Sequence, residues 1–258
     1  MNVLSGHMLA TGTESILSRL IFLFLNPLFF LVRIIVILFV SFIALCLCVC
    51  RRYLTSCRSD RLVKLWALSV IYLLGINLKS FGSTDIAAGT FITSNHRSYI
   101  DILIVLALFD PIFLAKEEVS HWPIIGRLAM NSNTVFVRRN CKQSRRLARQ
   151  RLTELLVLKN TVMVFSEGTT SMAPALREYY PGMFYSAASY GVPIVALSIE
   201  YDQRKMAWVE SDSLISHLLR TFGLRNYRVN VHVSSPELSG DGAHLKNMSE
   251  QWARQYIL

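Results

Sequence analysis

A histidine and an aspartate five positions apart, His96 and Asp101, are the residues of this chain best suited to acid–base chemistry. They lie where an apolar, β-branched run gives way to helix-like sequence, in "ITSNHRSYIDILIV". Positions five apart in one regular helix point about 140° away from each other. The two side chains can meet only if His96 lies in the turn before the helix and Asp101 reaches back from its first turns. We predict that arrangement, a base paired with the acid that orients it.

The segments that must position this pair alternate between short β-branched runs and helical patterns. Strands are predicted at 90–94, 111–115, 133–138, 161–166, 193–201 and 227–233. Helices are predicted to begin near Ser98, Trp122, Lys142 and Gly182, with another at about 212–221 and a last one from Gly242 to the end. This alternation is typical of an α/β fold with a mostly parallel sheet flanked by helices. We predict one such domain at 79–258, behind N-terminal membrane-anchoring helices at 1–78.

Three further motifs adjoin the predicted strands, and in such sheets ligand-binding groups collect after the carboxyl ends of strands. In "FVRR" a strand closes at Phe136, in "FSEGTT" the chain turns at Glu167-Gly168, and in "GVPIVAL" Pro193 enters a buried strand. Each motif alone is a weak signal, because an arginine after a strand is usually solvated and Glu-Gly is a common turn. Their combination in one α/β unit predicts a functional site.

The N-terminal part of the chain is far more apolar than the rest. Residues 20–50 are interrupted only by Asn26-Pro27, Arg33 and Ser41, and a bilayer crossing needs about 20 apolar residues. Asn26-Pro27 predicts a break, giving a kinked span or a helical pair that enters one leaflet. The apolar region is too long for a cleaved signal peptide, so we favour a retained anchor. A second apolar stretch, 65–74, predicts a helix that lies against the membrane or the domain.

The distribution of charge predicts which side of the membrane the domain occupies. Five basic residues follow the anchor between Arg51 and Lys64, against Arg19 before it, which places the domain on the cytoplasmic side. The net charge is +10, which beside an anchor favours acidic lipids as partners. A nucleic-acid binder would have to explain the charge-free run 34–50. The segment 138–151 holds seven basic and no acidic residues and predicts an amphipathic helix whose cationic face contacts either lipid or solvent.

The five cysteines indicate neither a disulfide framework nor a zinc site. Three of them, Cys46, Cys48 and Cys50, lie in or at the end of the anchor, and the chain contains no C-x-x-C pair. The six histidines show no ligand spacing either. We therefore expect no metal.

Over about residues 80–205 these motifs resemble the glycerolipid acyltransferases typified by 1-acylglycerol-3-phosphate acyltransferase. The matching residues are Asn95, His96 and Asp101 of N-H-x-x-x-x-D; Phe136 and Arg139 of G-x-x-F-x-x-R; Phe165, Glu167, Gly168, Thr169 and Ser171 of F-P-E-G-T-R-S; Pro193 of a fourth motif; and Lys116, Pro123 and Gly126 of a lysine followed by a Pro-x-x-Gly turn.

The resemblance implies a membrane-bound O-acyltransferase of phospholipid biosynthesis. It would move an acyl chain from acyl-CoA or an acyl carrier protein to a lysophospholipid hydroxyl, with 1-acyl-sn-glycerol-3-phosphate as the expected acceptor and no cofactor. His96 would remove the hydroxyl proton during attack on the thioester, and Asp101 would stabilise the imidazolium. A chain without a G-x-S-x-G elbow fits direct transfer rather than serine hydrolase chemistry.

The resemblance also assigns residues to substrate binding. Lys116 and Arg139 would neutralise the acceptor head group, and Glu167, Gly168 and Thr169 would line its pocket. Asn95, Phe136 and Pro193 are assigned to substrate binding as well.

The sequence departs from the family pattern at three positions near the expected acceptor pocket. Asn133 replaces a glycine, Thr170 replaces an arginine and Tyr180 stands where a lysine is common. Each charge-assisted hydrogen bond to phosphate contributes ~1.5–3 kcal/mol, so losing two cations could change the preferred acceptor. One hypothesis is therefore a lyso-aminolipid or another lyso-lipid without a terminal phosphate monoester. Another is a non-catalytic lipid-binding protein of the same fold.

Overall fold

The computed structural model describes residues 16–55, 60–172, 174–208, 213, 216–218, 221 and 227–257. The helices within these ranges are α1 (Ile16–Thr55), α2 (Asp60–Leu73), α3 (Ile100–Leu108), α4 (Ile125–Asn131), α5 (Lys142–Val157), α6 (Gly182–Tyr190) and α7 (Gly242–Gln255). The strands are β1 (Ile76–Phe81), β2 (Phe91–Ser94), β3 (Ile112–Lys116), β4 (Val135–Val137), β5 (Val162–Phe165), β6 (Ile194–Tyr201) and β7 (Tyr227–Val233). Short 3-10 turns cover Glu117–His121 and Arg204–Met206.

These strands form one seven-stranded sheet in the order β1-β7-β6-β2-β5-β3-β4. The five strands from β6 to β4 run parallel, and β7 joins β6 in antiparallel orientation with β1 parallel to β7. The predicted mostly parallel α/β sheet is confirmed, and all six predicted strands are present with shifts of at most two residues at their ends. The predicted helix at 212–221 lies largely outside the described residues.

The strand that sequence analysis missed is β1. Its sequence, INLKSF, has three polar residues among six, and only Ile76 is buried. An edge strand of this kind lacks the apolar run by which the other strands were recognised. Its register is set by β7, with Ile76 opposite Tyr227, a contact across about 150 positions that the local pattern cannot reveal.

Alternating side chains along the strands build two separate apolar cores, one on each face of the sheet. On the first face, Ile92, Met163 and Val195 pack with helices α1, α2, α3 and α4. On the second face, their chain neighbours Phe91 and Val162 pack with α5, α6 and α7. The anchor helices and the basic helix α5 therefore lie on opposite faces of the sheet.

Helix α1 is the candidate membrane segment. Within the described residues, Phe30–Arg51 is the one stretch long and apolar enough to cross a bilayer, and most of it is exposed. Helical backbone continues through Asn26-Pro27, so the predicted helical pair is wrong, and the kinked span stays a prediction. A proline removes one backbone hydrogen bond, and the turns on either side can still propagate.

Helix α2 joins α1 to the domain, as predicted for the second apolar stretch. Its buried residues, among them Ala67 and Val70, belong to the first core, while Leu65 and Tyr72 stay exposed. A buried hydrogen bond links the two helices, since the indole of Trp66 donates to Ser41 Oγ at 2.9 Å. The α1–α2 pair thus presents an apolar outer surface and is tied to the domain beneath it.

Candidate active site

Most of the predicted site residues lie at the carboxyl edge of the parallel strands. Ser94, the last residue of β2, lies opposite Phe165 of β5 and Leu197 of β6. The loops after β2 and β5 therefore leave the sheet side by side. This register brings His96 next to Glu167, which is 71 positions further along the chain.

His96 and Asp101 meet as predicted. His96 lies in the turn before α3, Asp101 lies in its first turn, and Nδ1 of the imidazole is 2.8 Å from Oδ2 of the carboxylate. The imidazole also stacks on the ring of Phe165, with the centroids 4.0 Å apart. The His96 side chain keeps 13% of its surface exposed, whereas that of Asp101 is fully buried. A ring fixed on one face by an aromatic and at Nδ1 by a carboxylate leaves Nε2 as its reactive atom.

The carboxylate of Asp101 is held by three protein donors in addition to the imidazole. Oδ2 accepts from the backbone N–H groups of Arg97 (2.6 Å) and Ser98 (2.9 Å). Oδ1 accepts from the hydroxyl of Tyr201 at 2.5 Å. These bonds fix the orientation of the carboxylate toward His96.

Tyr201 is a site residue that sequence analysis missed. It ends β6, 100 positions after Asp101, and no motif marks it. Burial, reinforced by the charge of Asp101, raises the pKa of its phenol well above the usual range. The hydroxyl therefore stays protonated and remains a donor to Asp101.

Glu167 lies behind the His96 backbone and is only 2% exposed. Its Oε1 accepts from the backbone N–H of His96 at 2.7 Å. Its Oε2 accepts from Ser171 Oγ (2.6 Å) and from the backbone N–H of Arg177 (3.0 Å). Both oxygens thus face protein donors, an arrangement that links the turn of His96 to Ser171 and Arg177.

Arg97 is a second residue that the motifs did not single out. Its guanidinium is buried, and Nη1 donates to Ser171 Oγ (2.5 Å) and to the carbonyl of Ala175 (2.7 Å). Burial lowers its pKa, and the carboxylates of Glu167 and Asp101 oppose that shift. One buried cation thus lies among two buried carboxylates directly beside His96.

The same edge of the sheet holds four more of the predicted site residues, Asn95, Lys116, Phe136 and Arg139. Asn95 is fully buried, and its amide exchanges two hydrogen bonds with the backbone of Ile199, at 2.9 and 2.8 Å, which ties β2 to β6. Lys116 ends β3 and pairs with Glu118 at 2.9 Å. Phe136 is half-buried in β4, and the exposed Arg139 follows that strand.

Gly168 and Thr169 continue the loop after β5. Gly168 adopts a φ of +73°, and a Cβ there would lie 2.4 Å from the ring of Tyr180. Both restrictions favour glycine. Thr169 is half-buried.

Pro193 is the predicted residue that the structure does not bring to this site. It precedes the amino end of β6, and its carbonyl accepts from Phe91 N–H at the start of β2. His96 lies five positions beyond Phe91, so at ~3.3 Å per residue the separation is roughly 16 Å along the strand. Pro193 therefore belongs to the opposite edge of the sheet.

The departure at Asn133 has a conformational explanation. Its φ is +58°, in the left-handed region that a glycine adopts without strain. Asparagine tolerates this region better than other side chains. The replacement therefore preserves the turn before β4.

We expect Asn133→Ala to destabilise the fold by about 1–2 kcal/mol, because alanine lacks the local hydrogen bonding that supports the left-handed backbone. Asn133→Gly is the matched control and should retain wild-type stability within about 0.5 kcal/mol. Thermal unfolding of the two variants in detergent measures this. Equal stability of both variants would contradict the backbone explanation.

Within the described residues, no three His, Cys, Asp or Glu side chains converge as metal ligands would. The chemistry available at this edge is that of an imidazole whose Nδ1 contacts a buried carboxylate. Such a pair can take a proton from a hydroxyl that attacks a carbonyl.

The proteins to which this chain is similar include several named as acyltransferases. The family model described as Acyltransferase matches residues 78–200. The chain is 32% identical over 204 residues to a lyso-ornithine lipid O-acyltransferase of Pseudomonas aeruginosa, covering 76% of this chain and 78% of that protein. It is 30% identical over 113 residues to a 1-acyl-sn-glycerol-3-phosphate acyltransferase of Neisseria gonorrhoeae, covering 44% of each chain.

The fold has a counterpart among solved structures as well. The crystal structure of the 1-acyl-sn-glycerophosphate (LPA) acyltransferase PlsC from Thermotoga maritima superposes with a TM-score of 0.68, at 19% identity, over 90% of this chain and 92% of that one. The chain belongs to the acyltransferase family whose members acylate lyso-lipids. It is an acyltransferase of lipid metabolism, and its apolar N-terminal helix is consistent with membrane association.

Proposed function

We propose that this protein transfers an acyl chain from an acyl thioester directly to the hydroxyl of a lyso-lipid at the cytoplasmic surface of a membrane. The 2.8 Å contact between His96 and Asp101 is the observation that carries the proposal. The apolar outer surface of α1 and α2 supports the membrane location. The excess of basic residues that follows the apolar part of α1, from Arg51 to Lys64, supports the cytoplasmic side.

The contacts of His96 define its role in the reaction. A carboxylate only accepts hydrogen bonds, so Nδ1 carries the ring proton and Nε2 carries the lone pair. Nε2 takes the proton of the lipid hydroxyl as its oxygen attacks the thioester carbonyl. When the C–S bond breaks, the leaving thiolate takes that proton from the imidazolium. Asp101 stabilises the imidazolium between these two steps.

For the acceptor we propose a lyso-aminolipid of the lyso-ornithine type. The Pseudomonas aeruginosa relative, which matches three quarters of both chains, is named for that substrate. Thr170 and Tyr180 also remove two cations that a phosphate monoester would use, and Tyr180 is 71% exposed beside Gly168. An acceptor without a phosphate monoester needs fewer charge-assisted hydrogen bonds at this loop.

1-Acyl-sn-glycerol-3-phosphate is the second candidate acceptor. Lys116 and Arg139 remain at the carboxyl edge beside the site, where they can face an anionic head group. The Neisseria gonorrhoeae relative is named for this substrate, although it matches less than half of the chain.

A panel of lyso-lipids with one labelled acyl thioester tests the acceptor. We expect kcat/KM for lyso-ornithine lipid to exceed that for 1-acyl-sn-glycerol-3-phosphate by about 10-fold or more, the equivalent of one charge-assisted hydrogen bond. The double variant Thr170→Arg/Tyr180→Lys should shift this ratio toward the phosphate acceptor. Tyr185→Lys, which adds a cation at another exposed tyrosine, is the control. A wild-type preference for 1-acyl-sn-glycerol-3-phosphate over every other lyso-lipid would remove the lyso-aminolipid assignment.

A further inference from the structure

Helix α5 carries a stripe of exposed cations that the chemistry at His96 does not use. Lys142, Arg145, Arg146 and Arg149 are all exposed and follow the spacing i, i+3, i+4, i+7. Residues at this spacing lie on one side of a helix. We define these four residues as the cationic stripe. The opposite, buried side of the helix, which includes Leu152 and Leu155, packs into the second core.

The cationic stripe is unfavourable for the isolated helix. Like charges four positions apart destabilise a helix by roughly 0.2–0.5 kcal/mol per pair, and Lys142–Arg146 and Arg145–Arg149 are two such pairs. No acidic residue occurs between 138 and 153 to offset them. An anionic partner would relieve this repulsion.

The position of α5 argues against lipid as that partner. The apolar outer surface of α1 and α2 belongs to the first face of the sheet, and α5 packs on the second. The sheet and at least one helix layer, each about 10 Å thick, lie between them. That separation exceeds the screening length of ~8 Å at physiological salt. The cationic stripe therefore faces the aqueous side when α1 and α2 contact the membrane.

The place of α5 along the sheet connects the cationic stripe to the reaction. Lys142 follows shortly after β4 and so lies at the carboxyl edge, where His96 also lies. Three strand spacings of ~4.8 Å separate β2 from β4, about 14 Å in all. Beside α5 there is an open groove of about 410 Å³, whose lining includes Phe136, Leu147 and Arg138, the residue that directly follows β4.

We propose that the cationic stripe docks an acidic acyl carrier protein, which presents its thioester to His96 across the carboxyl edge. This inference rests on the proposed function and names its donor. From Lys142 to Arg149 the cations extend over ~10 Å of helix axis and do not converge on one point. An extended row fits a protein surface with several carboxylates, whereas a nucleotide-linked donor such as acyl-CoA presents its charges within one small group. A flexible thioester arm then covers the distance to the imidazole.

Binding of a fluorescently labelled acyl carrier protein to the full-length protein in detergent tests the proposal. We expect Arg146→Glu/Arg149→Glu to weaken binding by at least about 10-fold, because like charges then face each other across the interface. Wild-type binding should also weaken as salt rises. Lys79→Glu/Arg228→Glu is the control, since it reverses two exposed cations away from α5 and should leave binding unchanged.

The second part of the test measures acyl transfer with the same acyl chain carried either by the acyl carrier protein or by CoA. The α5 variant should lose about 10-fold or more in kcat/KM with the acyl carrier protein donor and keep its rate with acyl-CoA. Wild-type protein that uses acyl-CoA but neither binds nor uses the carrier would overturn the docking and leave the acyltransferase function intact. Loss of binding to anionic vesicles, with carrier binding unchanged, would overturn it in favour of lipid. Absence of transfer from both donors would count against the proposed function, while the binding measurement would still decide the docking.

Discussion

Replacing His96 with alanine is expected to lower kcat for acyl transfer by about 10²–10⁴-fold, the range that a positioned general base supplies. The loss of the imidazole leaves Asp101 with three other donors, and the backbone N–H of residue 96 keeps its bond to Glu167. The variant should therefore fold. Labelled acyl transfer to the preferred lyso-lipid measures the rate, and thermal unfolding checks the fold.

Asp101→Asn tests the charge of Asp101 in the same assay, because an asparagine oxygen can still accept a hydrogen bond from the imidazole. Its oxygen can take the place of Oδ2 and accept from the imidazole and from two backbone N–H groups. Its Nδ2 can then donate to Tyr201, whose hydroxyl reverses from donor to acceptor. The charge is lost, and the Tyr201 proton no longer has Oδ1 as its acceptor. A charged hydrogen bond contributes ~1.5–3 kcal/mol, so we expect kcat to fall by about 10- to 100-fold, with a loss of stability of about 1–3 kcal/mol from the unpaired donor.

Tyr201 provides the control for that argument. Tyr201→Phe removes the hydroxyl that donates to Oδ1 but keeps the charge of Asp101 and its contact with the imidazole. Its kcat should therefore fall less than that of Asp101→Asn, and an equal fall would show that the hydroxyl matters as much as the charge. Unchanged acyl transfer in His96→Ala would show that His96 is not the base, whereas absence of acyl transfer in the wild type would favour the non-catalytic lipid-binding hypothesis.

The His96–Asp101 pair was predictable because its geometry is local. Only five positions separate the two residues, and a turn that opens a helix is the one arrangement that lets them meet. The parallel strands were equally accessible, since each is a short β-branched run with its own signal. The departure at Asn133 was visible in the sequence as well, although its positive φ was not.

The partners of this pair could not be predicted, because strand order decides them. Tyr201 reaches Asp101 from 100 positions away because β6 lies beside β2, and nothing in the sequence of either strand specifies that neighbour. Pro193 is the opposite case to Tyr201. Its motif predicts a site residue, yet it precedes β6 at the opposite edge of the sheet. A motif identifies residues, whereas strand direction decides at which edge they lie.

Arg97→Met is expected to destabilise the protein by about 3–5 kcal/mol, the usual cost of removing one member of a buried charged network. Methionine fills similar space but cannot donate to Ser171 Oγ or to the Ala175 carbonyl. The carboxylate of Glu167 then remains buried without the cation that offsets its charge. Unfolding by heat or denaturant in detergent measures the loss. Arg97→Lys keeps the charge and should lose less.

A double-mutant cycle with Glu167→Gln separates this electrostatic role from packing. If Arg97 acts by offsetting the charge of Glu167, removing both charges should cost less than the sum of the two single changes, by about 0.5–3 kcal/mol. Additive losses would indicate that Arg97 only fills space. The same cycle has a catalytic readout, because Glu167 holds the backbone N–H of His96. Arg97→Met should therefore lower kcat even at temperatures where it stays folded, since the base is positioned by a carboxylate that this buried cation helps to keep in place.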